Sequence, residues 1–136
     1  MCLFCKIISG ELTSEKIAET EHSFAFLDIF PLNDKHILVM PKQHAEFFHE
    51  LTEEQAADLA ILTNRITKVL SDEYPAYNLI QNNGKLAHQA IPHVHIHIIP
   101  KTQERGLGLV WNSVSADSEA LTAAGNDLRS KLGNSK

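Results

Sequence analysis

The stretch AHQAIPHVHIHIIP, Ala87 to Pro100, contains four of the eight histidines of the 136-residue chain. Its second half alternates histidines with apolar residues, which predicts a strand over residues 92–100 with one face packed under a helix. The imidazoles of His93, His95 and His97 then share the opposite face, each about 6.5–7 Å from the next along the strand. The question is what three imidazoles in register are for.

Three uses of these histidines are open. They are the polar outer face of a half-buried strand, a three-histidine zinc site of the catalytic type, or a nucleophile with neighbours that bind and orient an anionic substrate. The outer pair would be about 13 Å apart on a straight strand, which disfavours one shared ion. Other polar residues favour the third use: the turn NNGK at 82–85, Gln89 just before the triad, and Asp28 at the end of an aromatic strand.

The rest of the chain predicts an α+β domain with a largely antiparallel sheet. Two short strands surround a turn near Glu21–Ser23, with Phe24 and Phe26 on one face of the second. Another strand is expected over His36–Pro41 and a further one in YNLIQ, and a short helical turn over Phe4–Ile8.

The clearest helix lies between residues 51 and 75. Thr52 and Gln55 form a capping box at its start, an apolar stripe includes Leu59, Leu62 and Ile66, and Pro75 stops it. A second helix is expected over residues 117–132, near the C-terminus. We assign no chemistry to the long helix, because an amphipathic stripe of this kind serves to pack a core.

Composition excludes some partners and narrows the compartment. The net charge of −5 disfavours broad nucleic-acid or membrane binding, and no apolar run reaches the ~20 residues of a membrane span. Residues 1–11 show no secretory signal, so we expect an intracellular protein, with the cytoplasm favoured and a nucleus or organelle left open. Cys2 and Cys5 form a C-x-x-C pair that suits a redox pair, a metal pair or simple packing.

Three motifs together resemble the histidine triad (HIT) superfamily. HVHIHIIP is similar to its His-x-His-x-His motif, FAFLDIFPLNDKHILVMPKQH (residues 24–44) to its Asp-ending strand and Pro-Lys-x-His run, and NNGKLAHQAIPHVHIH to its Asn-x-Gly…Gln arrangement. The resemblance spans residues 4–101 and is closest to the small nucleotide-binding (Hint-like) branch, including bacterial and fungal members that contain zinc. It implies a HIT-like α+β fold with a mainly antiparallel five-stranded sheet, one long helix and a C-terminal helix. One domain would span residues 1–136, with a core at 4–101 and a tail at 102–136.

The resemblance also implies an enzyme that binds purine mononucleotides. Such enzymes release AMP from adenosine 5′-phosphoramidate-type substrates through a covalent nucleotidyl-histidine. His95 would be the nucleophile, His97 would contact the phosphate, and His93 would orient the site from one end. The nucleotide would be bound by Ile7, Phe26, Asp28, Asn82, Gln89, His95 and His97. A diadenosine polyphosphate hydrolase, or a non-catalytic nucleotide- or zinc-binding module, is the alternative.

A structural zinc ion and a homodimer are implied as well. In some similar members the C-x-x-C pair joins two histidines around zinc, which here would be Cys2, Cys5, His44 and His93; no organic cofactor is implied. The chain departs from the family at Ala90, where some members carry a serine that touches the leaving group, and at His88, where a small residue is common. Trp111 lies in a tail that in the family reaches a neighbouring active site, and it equally suits a lone packing residue.

Overall fold

Five strands form one antiparallel sheet in the computed structural model, which describes residues 2–133. The strands are β1 (Lys16–Glu19), β2 (Ser23–Leu27), β3 (Ile37–Pro41), β4 (Tyr77–Gln81) and β5 (Ile96–Pro100), in the spatial order β1-β2-β3-β5-β4. The helices are α1 (Leu3–Ile8), α2 (Glu53–Leu70) and α3 (Ser118–Leu132). The predicted α+β class and five-stranded antiparallel sheet are confirmed.

The two faces of the sheet bury two different apolar clusters. All five residues of β3 are buried; Ile37 and Val39 belong to a cluster that includes the stripe of α2. Leu38 and Met40 point the other way, into a cluster that includes Phe4 of α1. The sheet is therefore covered by α2 on one face and by α1 on the other, and each large side chain buried in this way contributes roughly 1.5–3 kcal/mol.

The long helix begins at its predicted capping box. The Gln55 backbone N–H donates to the Thr52 hydroxyl over 3.1 Å, and the Thr52 N–H donates to the Gln55 side chain over 3.0 Å. The helix ends at Leu70, earlier than predicted. Residues 71–73 form a turn, in which the Asp72 and Glu73 N–H groups donate to carbonyl oxygens three residues back, those of Val69 and Leu70.

The histidine strand is shorter than predicted. β5 begins only at Ile96, and residues 92–95 lie outside the sheet ladder. Pro92 has no N–H, and the His93 and Val94 N–H groups donate to Ile91 and Ala45 instead of to a neighbouring strand. The predicted alternation of side chains still holds, because Val94 and Ile98 enter the core on the α2 side. The histidine face is not an open surface, because His93 and His95 are buried beneath α1.

The C-terminal segment extends from this core. Residues 101–117 contain neither helix nor strand, and α3 begins after Asp117, whose carboxylate accepts from the Ala120 N–H. No residue of α3 is buried, and Trp111 is 78% exposed. Within residues 2–133 no helix combines the length and the apolar character needed to cross a bilayer.

Candidate active site

A cavity of about 550 Å³ opens on the α1 side of the sheet. This volume lies in the range of small-molecule sites. Six of the seven residues predicted to bind nucleotide line it: Ile7, Phe26, Asp28, Asn82, His95 and His97. Four separate segments of chain supply them, so the cavity exists only in the folded protein.

Sheet register places the two ends of the cavity. Phe26 of β2 and Leu38 of β3 are paired, and Leu38 is paired in turn with His97 of β5. On the far side of β5, Ile80 of β4 is opposite His97, so Asn82 follows at the end of that edge strand. An apolar, α1-covered end therefore lies over β2 and β3, and a polar end lies beside β4.

The hydrogen bonds of His95 suit a nucleophile. Its Nδ1 lies 2.7 Å from the carbonyl oxygen of His93, so we assign the proton to Nδ1 and the lone pair to Nε2. Burial lowers the pKa of His95 and keeps the ring neutral. The ring of Phe4 packs edge-on against it, with centroids 5.0 Å apart. An uncharged imidazole with one free lone pair thus lies in the wall of the cavity.

A fourth histidine, His36, belongs to this site and was missed in the sequence. Its Nδ1 accepts from the Leu32 backbone N–H over 3.1 Å, so its proton is on Nε2. That Nε2 lies 3.0 Å from Nδ1 of His97, and His97 therefore carries its own proton on Nε2. The signal available in the sequence was a histidine at the head of the otherwise apolar strand HILVMP.

The same network keeps both rings neutral. Burial and the neighbouring His95 and His36 lower the pKa of His97 to about 4, and burial lowers the pKa of His36. The Asp28 carboxylate lies 3.6 Å from His36 Nε2, at the end of β2. His97 can therefore offer one N–H to a ligand in the cavity.

Gln89, the seventh predicted residue, does not line the cavity. It is buried, its Oε1 accepts from the Gly84 N–H over 2.7 Å, and its Nε2 donates to the Glu46 carbonyl oxygen over 2.7 Å. Gly84 has φ of 88°, a conformation that glycine adopts without strain. The Gln89 side chain thus holds the loop that carries Asn82.

A second cluster lies behind the triad, where Cys2, Cys5, His44 and His93 converge. One ligand atom from each lies within 4.8 Å of all the others. His93 Nδ1 lies 3.5 Å from Cys2 Sγ, 3.6 Å from Cys5 Sγ and 3.2 Å from His44 Nδ1. Tetrahedral zinc with ordinary bond lengths separates S and N ligands by about 3.5 Å and two N ligands by about 3.3 Å. The four side chains therefore fit such an ion.

The orientation of His93 suits metal ligation. Its Nε2 donates to the Pro41 carbonyl oxygen over 2.8 Å, which leaves the Nδ1 lone pair facing the two sulfurs. Its backbone carbonyl meanwhile holds His95. The His93 ring thus points away from the cavity and into the second cluster, while the His93 carbonyl contacts His95 in the cavity wall.

Comparison with known proteins agrees with this geometry. The chain matches the HIT domain over residues 9–104. It is 47% identical to an adenosine 5′-monophosphoramidase of Schizosaccharomyces pombe, covering 96% of this chain and 98% of that one. It is 41% identical to an adenosine 5′-monophosphoramidase of Saccharomyces cerevisiae, covering 96% of this chain and 82% of that one.

Solved structures give the same result. A histidine triad nucleotide-binding protein from Candida albicans superposes with a TM-score of 0.92 at 38% identity, over 100% of both chains. A HIT family protein from Bacillus subtilis superposes with a TM-score of 0.90 at 37% identity, over 96% of both chains. With its histidine motif, its sheet and its relatives in agreement, the chain belongs to the histidine triad (HIT) family.

Proposed function

We propose that this protein is a nucleoside phosphoramidase, which hydrolyses adenosine 5′-phosphoramidate-type substrates to AMP. The observation that carries the proposal is His95, a buried neutral imidazole whose Nδ1–H is held by the His93 carbonyl and whose Nε2 is free in a cavity of nucleotide size. The yeast relatives named as adenosine 5′-monophosphoramidases support the substrate class.

In the proposed reaction, His95 Nε2 attacks the α-phosphorus and the P–N bond breaks. The amine leaves with a proton, and a nucleotidyl-imidazole remains on His95. Its positive charge is stabilised by the hydrogen bond from Nδ1–H to the His93 carbonyl. Water then attacks phosphorus, AMP leaves, and His95 returns to its starting tautomer.

The other residues bind and orient the substrate. The His97 Nε2–H donates to a phosphoryl oxygen, where negative charge grows in the transition state. Asp28 accepts from ribose hydroxyls, Ile7 and Phe26 contact the base, and Asn82 lies at the phosphate end. Gln89 contributes by holding the loop of Asn82, and His93 by positioning the nucleophile.

Zinc is the proposed occupant of the second cluster. Cys2, Cys5, His44 and His93 form a Cys₂His₂ set, which is typical of structural zinc. The ion would tie α1, and with it Phe4 and Ile7, to the sheet. It would supply stability rather than chemistry, and the reaction needs no organic cofactor.

A homodimer is also proposed. β4 is an edge strand, and the tail carries Trp111 and Val114 almost fully exposed. An exposed edge and exposed apolar side chains are features that a second copy would cover. We propose one HIT domain with its core at 4–101 and a tail at 102–136, because all five strands lie between residues 16 and 100. Its free cysteines favour an intracellular location.

The direct test is AMP release from adenosine 5′-phosphoramidate by the wild type and by His95→Ala. We expect the variant to bind AMP while losing at least about 10³-fold in kcat. His49→Ala, which changes an exposed histidine outside the cavity, is the matched control and should retain full activity. Nucleotide binding without AMP release would favour a binding module, and preferential cleavage of diadenosine polyphosphates would favour the alternative hydrolase.

A further inference from the structure

The proposed reaction requires a proton for the departing amine, and the triad has none to give. His97 holds a single proton on Nε2, and His36 holds a single proton that already bonds to His97 Nδ1. Loss of either proton would leave an imidazolate anion. The proton of His95 is on Nδ1, bound to the His93 carbonyl on the side away from the attacking nitrogen.

Two other titratable groups line the cavity, Asp28 and His88. Asp28 lies at the end of β2, where its carboxylate accepts from the Phe30 N–H over 2.9 Å and faces His36. This is the end of the cavity that contains Phe26 and is covered by α1. Asp28 is therefore placed for the nucleoside and not for the leaving group.

His88 lies at the opposite end. Its carbonyl oxygen accepts from the Asn82 side chain over 3.3 Å, and Asn82 follows the strand β4 on the far side of His97. A substrate whose nucleoside lies over β2 and whose phosphorus lies at His95 extends its leaving group toward this β4 side. The His88 side chain is exposed to solvent, and both of its ring nitrogens are available to hold or accept a proton.

The backbone of His88 is held in an uncommon conformation. Its φ of 70° and ψ of 26° lie in the left-handed region, which glycine adopts without steric cost. The His88 N–H donates to Lys85 over 3.0 Å and closes the short 3₁₀ turn Lys85–Ala87. A histidine held there, with its side chain lining the cavity, is the kind of local strain that functional sites retain.

We propose that His88 is the general acid and base on the leaving-group side, an inference that rests on the proposed phosphoramidase function. As His95 Nε2 bonds to phosphorus and the P–N bond breaks, imidazolium His88 donates its proton to the leaving nitrogen. Neutral His88 then accepts a proton from the water that attacks phosphorus. The oxygen of that water enters AMP, the bond from phosphorus to His95 breaks, and both histidines return to their starting states.

Two substrates separate this role from a structural one. Adenosine 5′-phosphoramidate needs a proton on its leaving nitrogen, whereas the p-nitrophenyl ester of AMP releases a stable anion. We expect His88→Ala to lower kcat/KM for the phosphoramidate by about 10²-fold and for the ester by less than about threefold. A comparable loss on both substrates, or no loss on either, overturns the assignment.

A measurement of the melting temperature distinguishes loss of the His88 side chain from loss of the fold. His88→Gly should raise the melting temperature, because glycine relieves the left-handed strain, and should still show the selective loss on the phosphoramidate. The matched control is Lys35→Gly. Within the described residues, Lys35 is the other non-glycine residue with a positive φ, of 64°, and it does not line this cavity. This variant should leave the rates on both substrates unchanged. If the wild type cleaves neither substrate, the proposed function itself fails. If the wild type cleaves both and His88→Gly cleaves the phosphoramidate as fast as the wild type does, only the role of His88 fails.

Discussion

At the residue scale, His93 contributes to two sites at once, the Cys–His cluster and the cavity that contains His95. Its ring faces Cys2 and Cys5, while its backbone carbonyl accepts from His95. A side-chain substitution removes the ring and leaves the carbonyl in the chain. The proposed metal site uses the His93 ring and the His95 tautomer uses the His93 carbonyl, so a side-chain substitution separates the two.

His36 should affect turnover more than binding. His36→Ala removes the N–H that fixes the His97 tautomer. Loss of one buried hydrogen bond of about 1–3 kcal/mol corresponds to a roughly 5- to 150-fold lower kcat. The KM should change little, because His36 does not line the cavity. Steady-state kinetics on the phosphoramidate measures both; His36→Gln, which keeps an N–H donor, should recover part of the activity. An unchanged kcat in His36→Ala would remove His36 from the site.

The neutral histidines should make folding sensitive to acid. The folded pKa of His97 is about 4, against an ordinary value of 6.5, so between these values the unfolded chain binds a proton that the folded chain does not. The free energy of unfolding should therefore fall as the pH drops from 6.5 to 4, by up to about 3 kcal/mol from His97 alone. His36 acts in the same direction.

Urea unfolding at several pH values, with a chelator present throughout, measures this dependence. The decline should be shallower in His97→Gln, which cannot titrate. An equal decline in the two proteins would show that His97 is not the source.

The residues of the site were predictable to the extent that a motif marks them. His95, His97, Asp28 and Asn82 all occur in recognisable stretches, and the structure brings them to one cavity. His93 belongs to the same motif, but its ring joins Cys2, Cys5 and His44 instead. His36 and Gln89 were harder, because their roles depend on hydrogen bonds to Leu32, His97, Gly84 and Glu46, which only the tertiary fold brings near.

Elements with local causes were predicted well. The α2 start follows from a capping box within four residues, and the strand over 37–41 follows from its apolar run. The start of β5 was wrong by several residues, because alternation alone does not show which N–H groups find a partner strand. Pro92 and the bond from Val94 to Ala45 decide that boundary.

The capping box gives a prediction at this scale. Thr52→Ala removes the acceptor of the Gln55 N–H and should lower the free energy of unfolding by about 1 kcal/mol. Thr52→Asp, which restores a side-chain acceptor, should keep most of the stability. Urea denaturation compares the three proteins, and equal midpoints would mean that the box contributes nothing to α2.

Metal removal tests the molecule as a whole, since the cluster joins the N-terminal helix to the sheet. The purified protein should contain one zinc ion per chain, and chelation should lower the melting temperature by at least about 5 °C and increase hydrogen exchange in Leu3–Ile8. The double variant Cys2→Ser with Cys5→Ser is the control, because a chelator should have no further effect on it. A wild-type protein without bound metal, or one whose hydrogen exchange in Leu3–Ile8 is unchanged by chelation, would contradict a structural role of metal in the cluster.

The proposed catalysis by the whole molecule depends on one covalent bond, between His95 Nε2 and the α-phosphorus of the substrate. The most direct measurement mixes the protein with adenosine 5′-phosphoramidate, stops the reaction within one turnover in alkaline denaturant, and maps the modified peptide by mass spectrometry. We expect an AMP group on His95 that forms and decays at rates compatible with turnover. AMP production with His95 unmodified throughout, or with the AMP group on another side chain, would contradict covalent catalysis by His95.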